Sequence, residues 1–316
     1  MTDFKKADIN NQFGKNIKDV LFVIPSLISI LIFLLFAPHI LRYVKEGLSL
    51  CFNVIIGSVF PFMILTDIIT ATSHLERIDW LCKFFERLFK INGCAISAFI
   101  IGIICGFPIG VKVSVDLYKR GCISKNECER LIGFCNNTGP AFIISGIGAG
   151  MRGSICDGII LYFSMIISAI ICGIILSRNK KTTSKSIDKA KSYYDFSASI
   201  KSAALNTLYI CAFIVFFSIV CGILNSTIKN GIIYSIIIPF IEISNSAKAL
   251  SQAVFFTPNI QMIFTSFAIS FSGISVHMQA KSFIIGTDIC MKTYYKAKLL
   301  QGFISALITS FLVITI

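Results

Sequence analysis

Two apolar stretches of this chain are interrupted by residues that break backbone pairing. Cys105-Gly106-Phe107-Pro108-Ile109-Gly110 leads directly to Lys112, and Cys135-Asn136-Asn137-Thr138-Gly139-Pro140 sits inside a second apolar run. Inside a bilayer no water replaces a lost peptide hydrogen bond, so helix interiors there keep their backbone groups paired. A break at that depth survives only where protein or a polar cavity surrounds it. Secondary transporters commonly build substrate sites from broken helices near the midplane.

Composition makes the membrane the right frame. The 316 residues are 55% hydrophobic and 14% charged, with a mean hydropathy of +0.80. Charge-free windows recur at Val20–Leu41, Gly47–Thr66, Ser202–Ile228, Ala249–Ala280 and Leu299–Ile316. A span needs roughly 20 predominantly apolar residues, so the chain reads as an all-α polytopic membrane protein. The first window is not expected to be a cleaved signal, because it lacks a small-residue cleavage site and Arg42, Tyr43 and Lys45 follow it.

The net charge of +13 does not point to nucleic acid. Basic residues cluster at Lys5 to Lys18, Arg77 to Lys90 and Arg178 to Lys201, flanking apolar spans in the positive-inside manner. The partners this implies are the lipid bilayer and a small solute, with a homo-oligomer allowed. The 12 cysteines form no C-x-x-C pair and lie mostly in apolar runs, so they read as packing residues with no metal or other cofactor. No H-E-x-x-H, no G-x-S-x-G and no carboxylate pair within an apolar span is present, so no enzyme is expected.

The expected organisation is a polar arm over 1–18, a first transmembrane half over 19–176, a basic linker over 177–201 and a second half over 202–316. Within the first half, 74–91 alternates apolar and charged residues at helical spacing and reads either as an interfacial helix anchored by Trp80 or as a cytoplasmic helix packing on protein. Segment 93–121 is too short on its apolar side to cross and suits a re-entrant hairpin; 258–290 is expected to re-enter in the second half. Ser124 and Glu127 stand at capping-box spacing before the second break.

The halves echo each other. Val59-Phe60-Pro61-Phe62 resembles Ile237-Ile238-Pro239-Phe240, and each leads to a polar break, Gly106–Lys112 in one half and Ser272–Gln279 in the other. Each half is therefore expected to hold a broken helix and a re-entrant hairpin. Interrupted segments at matching places point to a carrier's binding site.

The stretches Gly106-Phe107-Pro108-Ile109-Gly110-Val111-Lys112, Arg130 to Pro140 and Gly273-Ile274-Ser275-Val276-His277-Met278-Gln279 resemble the sporulation integral membrane protein family of the YlbJ type, from about Gly47 to the C-terminus. That family carries a nucleoside-recognition gate domain related to concentrative nucleoside transporters. The resemblance implies a core of two re-entrant hairpins and broken helices. It also implies export of dipicolinic acid across the outer forespore membrane during sporulation. A nucleoside or other small-solute carrier is the alternative; a membrane scaffold or an intramembrane enzyme is further removed.

A dicarboxylate needs positive potential and donors. Gly106, Pro108 and Gly110 would expose backbone N–H groups at a broken-helix start, with Lys112 the nearest cation. Asn136, Asn137 and Thr138 would contribute amide and hydroxyl groups, and Ser272, Ser275, His277 and Gln279 the matching set from the second half. Glu242, after an apolar run, is the candidate for coupling to a proton or cation.

Overall fold

The computed structural model describes residues 23–24, 27–28, 30–31, 33–35, 37–72, 78–182 and 195–315. The expected polar arm, the start of the 74–91 helix and the middle of the basic linker lie outside the described residues. Helices α1 (Ala37–Leu50) and α2 (Ile56–Thr72) are joined by a π-helical turn at Cys51–Ile55, so the chain is helical from Ala37 to Thr72 with Pro61 inside. The long α9 (Phe196–Thr227) packs along both.

Helix α3 (Asp79–Phe89) is amphipathic. It buries Phe85 and Phe89 and leaves Trp80 72% exposed, as its sequence pattern predicts. Phe89 stacks on Phe134, and both meet Phe99, so an aromatic seam ties α3 to the elements that follow. The guanidinium of Arg130 donates to the carbonyls of Phe89 (3.2 Å) and Lys90 (2.8 Å), a cation at the C-terminal end of α3. The chain then bends by 97° from α3 into Gly93–Ile104.

Two architectures of interruption follow. Helices α4 (Ile96–Ile104) and α5 (Ile109–Lys119) fold back on each other, as do α10 (Gly231–Ile241) and α11 (Ile243–Ser251). By contrast α6 (Lys125–Cys135) and the π-helical α7 (Ala141–Met151) continue past a break, and so do α12 (Pro258–Phe271) and α13 (Gly273–Ile284). Each run-on pair is followed by a turn with a left-handed glycine, Gly153 at φ 70° and Gly286 at φ 81°. A long helix comes next, α8 (Ile155–Ser177) or α14 (Lys292–Thr315). A fold-back pair precedes each run-on pair in the chain.

Four runs are long and apolar enough to cross a membrane: α8, α9, α12 with α13, and α14; counting the bent α3–α4 pair makes up to five. The described residues contain no strand. In segment 258–290, expected to re-enter, Pro258–Ile284 makes one 27-residue apolar run, and a fold-back, α10–α11, precedes it. Gly106–Lys112 thus lies at a fold-back and Ser272–Gln279 in a run-on pair. The physical reason is local: the second fold-back turns at Glu242, an extended residue at φ −152°, ψ 135°. It needs no glycine, so a glycine-based reading passes over it.

The start of α6 follows its sequence signal. The Ser124 hydroxyl accepts from Glu127 N and the Glu127 carboxylate accepts from Ser124 N, the expected capping box. At the same end of the molecule Asp288 accepts from the Tyr118 hydroxyl (2.6 Å) and pairs with Lys125 (3.2 Å). These bonds hold the Asp288 carboxylate below the usual range and tie the α13–α14 turn to α5 and α6.

Candidate functional site

The four interruptions converge. Gly106 has φ +83°, and a Cβ added there would sit 2.8 Å from the Gly139 amide nitrogen, so the α4–α5 and α6–α7 breaks touch. Only glycine combines that left-handed conformation with that approach. In the second half Gly273, at φ +70°, lies against the α10–α11 elbow: its added Cβ would be 3.0 Å from Ile241 O and 3.1 Å from Glu242 N. Across the halves, the Thr138 hydroxyl donates to Ile269 O at 2.9 Å.

Between these elbows lies a cavity of about 330 Å³. Gly106, Thr138 and Gly139 line it from the first half; Glu242, Ser244 and Gln279 line it from the second. Its remaining walls are largely apolar, from Ile55 and Phe62 on one side to Phe107 and Val276 on the other. A mostly apolar pocket with a few convergent polar groups is the usual form of a small-molecule site.

Among the described residues Glu242 is the one formal charge in that lining. Its side chain is the N-cap of α11: it accepts from Ser244 N (2.9 Å), Asn245 N (2.7 Å) and Asn245 Nδ2 (2.8 Å). The residue is 2% exposed. Gln279 is buried too, and among the described residues its Oε1 has no donor. This side of the cavity therefore presents acceptors.

Behind the first-half wall is a buried polar network. Asn136 Nδ2 donates to the Tyr294 hydroxyl at 2.9 Å, and His277 Nδ1 lies 3.1 Å from the same oxygen. Gln301 Nε2 donates to Asn137 Oδ1 at 2.8 Å. Lys298, 0% exposed, donates to Asn136 O at 2.6 Å and to Gln301 Oε1 at 2.8 Å. Asn136 is the C-cap of α6, so the ammonium sits at the negative end of that helix. Among the described residues no carboxylate pairs with it.

The expected site residues thus divide by place. Gly106, Thr138, Gln279 and Glu242 face the cavity. Asn136, Asn137 and His277 belong to the network behind it. Lys112 pairs with Asp67 of α2, one turn into α5, and is directed at that helix. Pro108 starts α5, and Gly110 lets the Cys135 carbonyl approach: an added Cβ would be 2.3 Å from that oxygen. Ser272 bonds back to Ile269 O, and Ser275 accepts from Gln279 Nε2, each at 3.4 Å. Tyr294 and Lys298 precede the last span as the sequence places it, from Leu299, and Gln301 lies inside that span without being singled out as a site residue. Their spacing of four and three residues puts them on one helix face, which is the signal that finds them.

No family model matches this chain, and no solved structure matches it. Among curated proteins it is similar to the sporulation integral membrane protein YlbJ of Bacillus subtilis (strain 168), 25% identical in an alignment 305 positions long that covers 83% of this chain and 74% of that protein. With four or five candidate spans and this similarity, the chain is a multi-pass integral membrane protein.

Proposed function

We propose that this protein is a carrier that moves a small organic anion, dipicolinic acid, across the outer forespore membrane during sporulation. The observation that carries the reading is the central cavity, walled by interrupted helices from both halves. Irregular backbone at membrane depth is tolerated where it lines such a cavity, and carriers place their sites there. The sporulation context comes from the name of the Bacillus relative.

Element lengths support a specific mode. The arms α4 and α5 have 9 and 11 residues, and α10 and α11 have 11 and 9. A crossing helix needs roughly 20, so on this reading both fold-backs enter and leave on one face. With the α6–α7 run, α8 and α9 each taken as a crossing between them, the two hairpins would open to opposite faces. Two inverted units, each a hairpin, a broken helix and a long helix, are in keeping with the nucleoside-transporter-like core that the resemblance implies. Alternating access follows if one unit rocks against the other around the cavity.

Charge has to be balanced for an anion to enter. The buried Lys298 ammonium and the N-terminus of α7, beginning beside Thr138 and Gly139, supply positive potential on one side. Glu242 opposes it on the other. A proton or cation taken up at Glu242 removes the only anion from the lining and admits an anionic solute, which makes Glu242 the coupling residue. The acceptors on the Glu242–Gln279 side favour a second reading, a hydroxyl-bearing neutral solute such as a nucleoside. Purified protein in liposomes separates the two. Saturable dipicolinate uptake that uridine does not compete supports the first; uridine uptake without dipicolinate uptake replaces it with the second.

A further inference from the structure

The central cavity contains a carboxylate and no cation, which is a poor first docking place for a dicarboxylate. A second cavity has the opposite character. It measures about 360 Å³ and runs between α1, α9, α10 and α11, with Arg42, Tyr43, Asn225, Tyr234, Lys248 and Gln252 in its walls. Arg42 pairs with Glu46 at 3.1 Å, but both side chains are well exposed, so solvent weakens that pair. Among the described residues Lys248 has no acidic partner. The lining therefore has two basic residues against one acidic, where the central cavity has Glu242 alone.

We infer that this cleft is the carrier's access site for its anion, a planar aromatic dicarboxylate, and that the first turn of α11, capped by Glu242, is the partition between cleft and central cavity. Arg42, Glu46, Asn225, Lys248 and Gln252 are all exposed. Such a concentration of charged and amide groups cannot face hydrocarbon, so the mouth of the cleft opens to water. The walls match the shape of the ligand as well as its charge. The Tyr43 ring lies directly over Gly222 of α9, where an added Cβ would be 2.3 Å from ring carbons. That contact fixes one flat aromatic face of the cleft; Tyr234 and Phe255 add others. Arg42 and Lys248 meet carboxylates, and the Asn225 and Gln252 amides donate to them.

At the inner end the two cavities are lined by neighbouring residues of the α10–α11 elbow. Asn245 lines the cleft, Glu242 lines the central cavity, and the Glu242 carboxylate holds the first turn of α11 between them by accepting from Ser244 N, Asn245 N and Asn245 Nδ2. Protonating or pairing Glu242 weakens these three bonds while removing the negative charge ahead of the ligand. One event would therefore loosen the partition and admit the anion.

This inference rests on the carrier reading for its direction, and the test keeps the two apart. Radiolabelled dipicolinate is titrated against the full chain purified in detergent, and its uptake is followed in liposomes. We expect saturable binding that weakens about tenfold or more in Lys248→Gln and in Arg42→Gln. Lys248→Arg, which restores the charge, should bind within about threefold of the parent. Wild-type affinity in both Gln variants, or no saturable binding by the parent, overturns the access site. Lys248-dependent binding without any wild-type uptake upholds the site and overturns the carrier. Uptake whose KM is unchanged in Lys248→Gln upholds the carrier and overturns the site.

Discussion

An ammonium group with only neutral partners is costly inside a bilayer, and Lys298 keeps one at 0% exposure. Its acceptors, Asn136 O and Gln301 Oε1, join α14 to the break after α6. Lys298→Met removes the buried charge but leaves Asn136 O and Gln301 Oε1 without their donor, at a cost of about 1–3 kcal/mol. Lys298→Met should therefore lower the thermal unfolding temperature in detergent modestly, while dipicolinate uptake per folded protein falls about tenfold or more. Normal uptake in that variant would make the lysine a packing element only. Glu242→Gln tests coupling. The amide cannot take up a proton or bind a cation as a carboxylate does, so downhill exchange should persist while gradient-driven accumulation is lost. Retained accumulation removes Glu242 from that role. Legibility at this scale follows chemistry. Asn136 and Asn137 stand out because they sit beside Pro140 in an apolar run. Lys298 follows Lys292 and Lys296 and reads as flanking charge; its helical spacing from Tyr294 and Gln301 is the one local sign that it shares a buried face with them.

At the scale of the element, the breaks are held by close backbone approach and by one ion pair. Gly106→Ala places a side chain in a left-handed conformation and within 2.8 Å of Gly139 N. We expect about 2 kcal/mol or more of destabilisation, seen as a lower unfolding temperature in detergent and a reduced yield of monodisperse protein; an unchanged melt would contradict the contact. The Lys112–Asp67 pair joins α5 to α2. If its role is that join, Lys112→Asp and Asp67→Lys each lower uptake and the double reversal restores much of it. A double variant as inactive as Lys112→Asp alone would return Lys112 to the substrate. The hairpin α4–α5 was legible because glycine and proline mark its turn. Its counterpart α10–α11 was not, since Glu242 turns the chain by capping α11 with its own carboxylate, a contact that short-range patterns do not encode.

For the whole molecule, hydropathy was enough to place it in the membrane with several spans. Per-residue similarity between the halves is weak, so the sequence alone does not match their elements one to one. The convergence of four breaks was beyond the sequence, because it depends on contacts between residues more than 100 positions apart, such as Thr138 with Ile269. Those contacts create the central cavity and so the proposal that a solute crosses there. The decisive measurement is dipicolinate uptake by proteoliposomes after the cavity is filled from either half, with Ser145→Phe and, separately, Val276→Phe, two wall positions that hold no polar contact across the breaks. Wild-type protein should show saturable uptake, and each filled variant, monodisperse and melting as the parent does, should lose about tenfold or more. Parental uptake by both well-folded variants would place the solute's route elsewhere.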